Sequence, residues 1–314
     1  MGQAAYAPGN PIDMSFFSKR SRATGAVTPP TDIPHRDLRF TLDATVPRYW
    51  YRGWVHVTRF FDAFSIMFPL GEKFFIDSVK HFRGEIPAGT PLAADVAGFI
   101  HQEATHIREH RLYNQRLAAQ GAPVDELEAL IRRRQQNSLR VASPAMRLAL
   151  TACLEHYTAI LADQLLRHPD MLDGAHPEMA AIWQWHAIEE TEHKAVAFDV
   201  FRAIGSNPLR RYLVRCGAML GVSVYFVIDL VYFMYRLAAC DRQRANWREW
   251  GRLQWWLFVH PGVFTRVLPA WLFWFAPWFH PNRIDSRAVL EAARRHLDGQ
   301  RQTIAAAPDT RDPL

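Results

Sequence analysis

The chain has 314 residues, of which 49% are hydrophobic and 22% charged, a composition that excludes a wholly disordered protein. Its three cysteines form no Cys-x-x-Cys pair, which excludes a disulfide framework, a zinc ribbon and a thioredoxin-type site, and favours a reducing compartment. The net charge of +6 equals that of residues 210–266 alone, which contain nine Arg and three acids, so the rest of the chain is close to neutral.

The N-terminal segment carries no recognisable targeting signal. Residues 1–35 lack the apolar core of a secretory signal. Tyr6 stands where a myristoylation site has Ser or Thr. We therefore predict a mobile arm over residues 1–35 and a cytoplasmic protein that can lie at the inner membrane.

Long helices with clear end signals follow this arm. Residues 52–83 have a helical pattern, which Pro69 is expected to kink or split. Thr90 is a predicted N-cap before a proline, and its helix should run to Gln120, with Gly121 after it. The remaining predicted helices are a short one over 125–138 capped by Asp125, one from Ser143 to Arg167, and one from His176 to Gly205.

These lengths favour an all-α protein built on a four-helix bundle. The bundle is predicted over residues 36–205, because its connections have plausible lengths. Residues 206–300 are predicted to form an apolar, Trp- and Arg-rich helical extension, packed on the bundle or on a membrane. Residues 301–314 are predicted to be a flexible tail.

The extension contains two apolar stretches. Cys216–Tyr235 is long enough to span a membrane, although Asp229 lies inside it. Trp255–Phe279 contains three prolines, so we predict two short helices there rather than one. Burial against the bundle, association with a membrane surface and a true span all remain open.

The arginines of this region indicate a membrane rather than a nucleic acid. Seven of the 11 Trp lie between Trp247 and Trp278, beside arginines and apolar runs. That combination is typical of a membrane interface. A membrane surface contacted through residues 210–279 is therefore one candidate partner, with burial of this region against the bundle as the alternative, and we expect no nucleic-acid partner.

Two Glu-x-x-His motifs carry the predicted chemistry. Glu103 and His106 form one and Glu190 and His193 the other, and each pair lies one helical turn apart on a single face. The other two long helices each offer one acid in an apolar context, namely Glu72 and Glu155. One Glu from each of two helices and Glu-x-x-His from the other two is the ligand pattern of dinuclear carboxylate sites in ferritin-like bundles.

Spacing and charge support this interpretation. The intervals of 31 residues from Glu72 to Glu103 and 35 from Glu155 to Glu190 each match one long helix plus a loop. The 52 residues from Glu103 to Glu155 leave room for a crossover or an extra helix. Four carboxylates and two neutral imidazoles carry four negative charges, which two divalent ions would neutralise. Iron is the favoured metal, with manganese or zinc as alternatives.

Three further residues border the predicted ligand stripe. His110 follows Glu103 by seven residues, and His186 precedes His193 by seven. They are predicted to be extra ligands, partners of the ligands or proton carriers, or polar residues at the rim of the bundle. Glu189 also borders the stripe, but only Glu190 keeps the Glu-x-x-His spacing.

The segments FPLGEKFFIDSVK, FIHQEATHIREHRLYN, LTACLEHYTAIL and WHAIEETEHKAVAFDVF together resemble a bacterial family catalogued as predicted metal-dependent hydrolases. The resemblance covers roughly residues 35–280 and implies a helical metal-binding protein. The order of the four segments along the chain is also similar to that of the ligand motifs in ferritin-like di-iron oxidases and oxygenases. The resemblance places the metal ligands at Glu72, Glu103, His106, Glu155, Glu190 and His193, while His110 and His186 depart from that six-ligand pattern.

Three functions remain open at this level. The leading one is a di-iron enzyme that uses O₂ to oxidise an apolar or lipid-like substrate, with Glu103 and Glu155 bridging the metals and Glu72 and Glu190 as terminal ligands. The second is a hydrolase that activates water with two metals. The third is a structural or storage metal protein, and a homodimer is compatible with each of them.

Overall fold

The structure is a computed structural model that describes residues 33–204 and 207–306, with side chains as far as residue 299. Within these ranges the chain is helical and has no strand, only an isolated bridge between Tyr51 and Ala175. The helices are α1 Val55–His81, α2 Pro91–Ala119, α3 Val124–Val141, α4 Pro144–Arg167, α5 Pro177–His193, α6 Val196–Ala203, α7 Pro208–Cys240, α8 Trp247–Phe258, α9 Val263–Phe273 and α10 Arg287–Ala306. The predicted all-α class is confirmed.

Helix α1 continues through Pro69, so the expected split does not occur. A proline inside a helix leaves the carbonyl four residues earlier without its usual donor. Here that carbonyl belongs to Ser65, and the Asn114 side-chain amide of α2 donates to it at 3.0 Å. The neighbouring helix therefore replaces the bond that Pro69 removes.

The caps predicted for α2 and α4 are present. The Thr90 and Ser143 side chains accept bonds from the backbone N–H groups of Ala93 and Met146. The cap predicted at Asp125 is wrong, because α3 begins one residue earlier with Pro123 at its cap position. Asp125 instead lies in the first turn, where a negative charge still favours the helix.

The segment predicted as one helix from His176 to Gly205 is two helices. α5 ends at His193, and a turn at Lys194 and Ala195 separates it from α6. The Lys194 ammonium donates to the Ile284 carbonyl at 2.7 Å and to the Ser286 hydroxyl at 2.9 Å, which ties this turn to the C-terminal segment. The predicted end at Gly205 lies outside the described residues.

The long helices pack as neighbours in the way that the ligand pattern requires. α1 packs along α2, α4 packs along α5, and α1 also contacts α4. The extra helix allowed by the 52-residue interval is α3, which packs on α1 and α2. The relation to ferritin-like bundles remains a prediction.

Helix α7 is buried on one side only. It packs on α1 and α4 through residues such as Met219, Phe233 and Leu237. Its opposite side exposes Val224 and Ile228 among other large apolar residues. In the described part of the chain, α7 alone is long and apolar enough to cross a membrane by length and composition.

The C-terminal elements agree in part with expectation. The second apolar stretch is not one straight helix, as predicted, but it contains only the last turn of α8 together with the whole of α9, because α8 already begins at Trp247. α8 packs on α1, and α9 packs on α4. α10 was not predicted, and it extends to Ala306 into the segment expected to be flexible. Residues 307–314 of the expected flexible tail and residues 1–32 of the expected mobile arm lie outside the described ranges. His35, also expected in the mobile arm, stacks on His101 of α2 with ring centroids 4.2 Å apart.

Candidate metal centre

The six side chains predicted as ligands are all buried and converge between four helices. Each is at most 1% exposed. Their spacing explains the convergence, because positions three residues apart on α2 and on α5 present a carboxylate and an imidazole on one face. The six are Glu72 on α1, Glu103 and His106 on α2, Glu155 on α4, and Glu190 and His193 on α5.

Their ligand atoms fall into two groups that share one residue. Glu72, His106, His186 and Glu190 form the first group, and Glu103, Glu190 and His193 form the second. Within each group, one ligand atom per residue lies within 4.8 Å of the others. Glu190 belongs to both groups, so its carboxylate lies between them.

Glu155 borders the second group. Its Oε2 lies 3.6 Å from His193 Nε2, and Glu103 Oε1 lies 3.3 Å from the same nitrogen. The second group can therefore offer three carboxylates and one imidazole to a single cation.

The polar atoms of this cluster fit a metal ion better than they fit one another. Both carboxylate oxygens of each of the four predicted ligand glutamates are buried and make no hydrogen bond of good geometry. The same holds for both ring nitrogens of His106 and for Nε2 of His186 and of His193. Unpaired polar groups are costly to bury, and carboxylates with imidazoles suit iron, manganese or zinc. The donor set is therefore that of a metal site.

The electrostatics of the cluster support this assignment. Burial raises the pKa of the Glu72, Glu103 and Glu155 carboxyls well above their usual range, and the charge of Glu190 raises these pKa values further. Burial would also raise the pKa of Glu190, but the neighbouring imidazoles of His186 and His193 outweigh it and hold that pKa well below its usual range. Bound cations would favour the ionised form of all four acids.

A polar network that the sequence analysis missed orients His193. His193 Nδ1 lies 3.1 Å from the Gln102 side-chain oxygen, which leaves Nε2 directed at the cluster. The Gln102 amide nitrogen donates to Glu192 at 2.7 Å, and Arg36 donates to the same carboxylate at 2.7 Å. In the sequence, only the position of Gln102 directly before the predicted ligand Glu103 could have indicated this role.

The three bordering residues take different positions. His186 Nε2 lies 3.0 Å from Glu190 Oε1, so His186 belongs to the first group. His110 lies behind it, with Nε2 at 2.9 Å from His186 Nδ1. Glu189 Oε2 lies 3.1 Å from His106 Nε2, and its Oε1 accepts from Arg36 at 3.3 Å. Burial raises the pKa of Glu189 to about 8, although the Arg36 charge opposes the shift.

Comparison with known proteins adds a family to this geometry. A family model described as "Predicted metal-dependent hydrolase" matches residues 34–285. This range contains every member of the buried cluster. No curated protein and no solved structure gives a significant match.

Proposed function

Since the chain belongs to the family of predicted metal-dependent hydrolases, we propose that it is an enzyme that hydrolyses an organic substrate with two metal ions. The observation that carries this proposal is the set of buried carboxylate oxygens and imidazole nitrogens that lack partners. A hydrolase of this kind needs cations held firmly in a water-excluding pocket.

Two overlapping groups of ligand atoms support two ions rather than one. Glu72, His106 and His186 would hold the first ion, and Glu103, Glu155 and His193 would hold the second. Glu190 would bridge them, because it is common to both groups. This differs from the expectation of bridging by Glu103 and Glu155 with Glu190 as a terminal ligand.

Divalent ions bound here would supply Lewis acidity and lower the pKa of a water molecule. The side chains around them hold the ligands in place. The Gln102 side-chain oxygen accepts a hydrogen bond from His193 Nδ1, and His110 Nε2 forms a hydrogen bond with His186 Nδ1. Nε2 of His193 and Nε2 of His186 therefore remain free to act as ligands. Glu189 Oε2 lies 3.1 Å from His106 Nε2, and His106 Nδ1 faces Glu103 Oε2 at 3.8 Å and Glu190 Oε1 at 3.7 Å.

Oxidation of an apolar substrate by a di-iron centre is the second candidate. The observation in its favour is that all predicted ligands lie on helices and four of them are carboxylates, as in the di-iron bundles. The two candidates share the site and differ in the metal and the co-substrate.

Metal reconstitution separates them. The chain, freed of metal, would be loaded in turn with Zn(II), Mn(II) and, without oxygen, Fe(II), and metal content measured by mass spectrometry. Hydrolysis of p-nitrophenyl esters and uptake of O₂ would be followed for each form. The matched variants are Glu103→Gln at the site and Glu85→Gln at an exposed position.

We expect about two ions per chain and ester hydrolysis by the Zn(II) or Mn(II) form. Of the two variants, Glu103→Gln alone should lose the second ion and the hydrolysis. Uptake of O₂ by the Fe(II) form without hydrolysis by any form would favour the oxidase. A wild-type chain that retains no metal would contradict both candidates.

A further inference from the structure

A large cavity lies next to the metal centre. It has a volume of about 620 Å³ and is enclosed by α1, α3, α4 and α7. This volume falls within the range of about 300–1,000 Å³ that is usual for small-molecule sites. Glu72, one of the predicted ligands, forms part of its wall.

The cavity is elongated. Its lining on α7 extends from Gly217 to Asp229, which is about 18 Å at about 1.5 Å per residue. The lining on α4 extends from Met146 to Leu161, a comparable length. An elongated shape favours a chain over a compact molecule.

Most of the side chains that line the cavity are apolar. Phe68, Phe75 and Leu154 line it near Glu72. Polar lining groups include the ion pair between Arg134 and Asp229, with an N–O distance of 2.6 Å. A hydrocarbon is the chemistry that such a wall accommodates without loss of hydrogen bonds.

The cavity connects the surface with the site. Val141 and Tyr225, at 85% and 56% exposure, form part of its rim, whereas Glu72 is 1% exposed. A ligand can therefore enter beside α7 and place one of its groups against the metal centre.

We propose that this cavity binds the hydrocarbon chain of an acyl substrate and presents its ester or amide carbonyl at Glu72. The proposal rests on the hydrolase function proposed above. In the reaction, water adds its hydroxyl to the acyl carbon, the C–O or C–N bond breaks, and the remaining proton goes to the leaving oxygen or nitrogen. The products are a fatty acid and an alcohol or amine.

Two glycines of α7 allow a sharp test. Gly217 and Gly221 line the cavity, and a Cβ added at either would meet no atom within 4 Å, so each position has room for a side chain at the cavity wall. Gly251 of α8 is equally unobstructed but does not line the cavity, which makes Gly251→Leu the matched control. Val224 lies on α7 outside the cavity lining, so Val224→Asp tests for adsorption to the outer face of α7.

The experiment measures binding of cis-parinaric acid, a fluorescent single-chain fatty acid, to the metal-loaded full chain. We expect saturable binding by the wild type, Gly251→Leu and Val224→Asp, and binding weaker by about tenfold or more in Gly217→Leu and Gly221→Leu. Circular dichroism and metal content would establish that all four variants are folded and loaded. Unchanged binding in both cavity variants, loss of binding in Val224→Asp alone, or no binding by the wild type would overturn the proposal.

Ester hydrolysis gives a second and separate readout. With p-nitrophenyl esters of increasing acyl length, the wild type should prefer long chains and Gly221→Leu short ones. Binding that responds to the cavity variants without hydrolysis of any ester would overturn the proposed function and leave the hydrocarbon site standing. Hydrolysis with no dependence on acyl length would overturn the hydrocarbon site and leave the proposed hydrolase function standing.

Discussion

The centre of the bundle and the outward face of α7 reverse the usual distribution of polar and apolar residues. The centre buries four glutamates and several histidines, whereas α7 exposes valine, isoleucine and leucine side chains. Soluble proteins rarely bury unpaired acids or expose a continuous apolar face. We infer that the two departures serve different ligands, cations inside the bundle and apolar molecules beside α7.

Removing the shared ligand should have the largest effect. Glu190→Gln keeps the shape of the side chain but replaces the carboxylate that belongs to both groups of ligand atoms. We expect loss of both ions and of activity, with metal affinity reduced by more than the roughly 10–100-fold typical of residues that only support a ligand. Metal titration by calorimetry measures this, and retention of one ion at full affinity would show that Glu190 does not bridge.

The ion pair that joins the bundle to the end of α7 should have the next largest effect. Arg59 of α1 is fully buried and donates to Asp241 at 2.6 and 2.7 Å. Asp241→Asn would leave the Arg59 guanidinium paired with Asp62 alone, so we expect the free energy of unfolding to fall by up to about 3 kcal/mol. Asp77→Asn is the control, because its pair with Lys73 is exposed and worth at most about 1 kcal/mol.

This pair also predicts a dependence on pH. Burial opposes ionisation of Asp241, but its bonds to Arg59 and Arg48 dominate and hold its pKa below the usual 3.8. The stabilisation is therefore complete above the unfolded pKa and is lost as the pH falls through the folded one. Urea unfolding should show the difference between wild type and Asp241→Asn shrinking below about pH 4, and a constant difference down to pH 2 would contradict this account.

The support of His193 should matter less than a ligand. Gln102→Leu removes the amide that orients His193 and that donates to Glu192. We expect metal affinity to fall by about 10–100-fold while the number of ions at saturation stays the same. Gln115→Leu, at an exposed position on the same helix, is the control. An affinity equal to that of the wild type would mean that packing alone holds His193.

The outward face of α7 should show the smallest effect per residue. We propose that it binds the surface of an anionic bilayer, since exposed Val224 and Ile228 are accompanied on the same side of the helix by exposed Arg210 near its start. Val224→Asp or Ile228→Asp should weaken partitioning into phosphatidylserine vesicles by about tenfold, because burying such a side chain is worth about 1.5–3 kcal/mol. Flotation measures this, with Leu112→Asp on α2 as control.

Flotation that the α7 variants do not change would contradict membrane binding. Sedimentation of the wild type without lipid then gives the alternative. A dimer that the same variants dissociate would assign the α7 face to a second copy of the chain.

Local signals account for the parts of the structure that the sequence predicted. Caps at Thr90 and Ser143, with prolines after them, depend on backbone groups within one turn, so they can be recognised without knowledge of the fold. The same is true of the two Glu-x-x-His motifs, because three residues always separate neighbours on one helical face. Sequence by itself therefore determined most of the helices, the faces that carry the Glu-x-x-His pairs and the presence of a polar cluster.

Contacts between distant segments decided the rest. Pro69 remains inside a helix because Asn114 of another helix satisfies the freed carbonyl, and α5 ends at a turn tied to Ser286, more than 90 residues away. The contact of Gln102 with His193, the place of Glu190 in both groups of possible ligand atoms and the cavity beside Glu72 likewise depend on side chains from several helices. Tertiary structure alone could decide these features, because periodicity describes one helix at a time and carries no information about which faces meet.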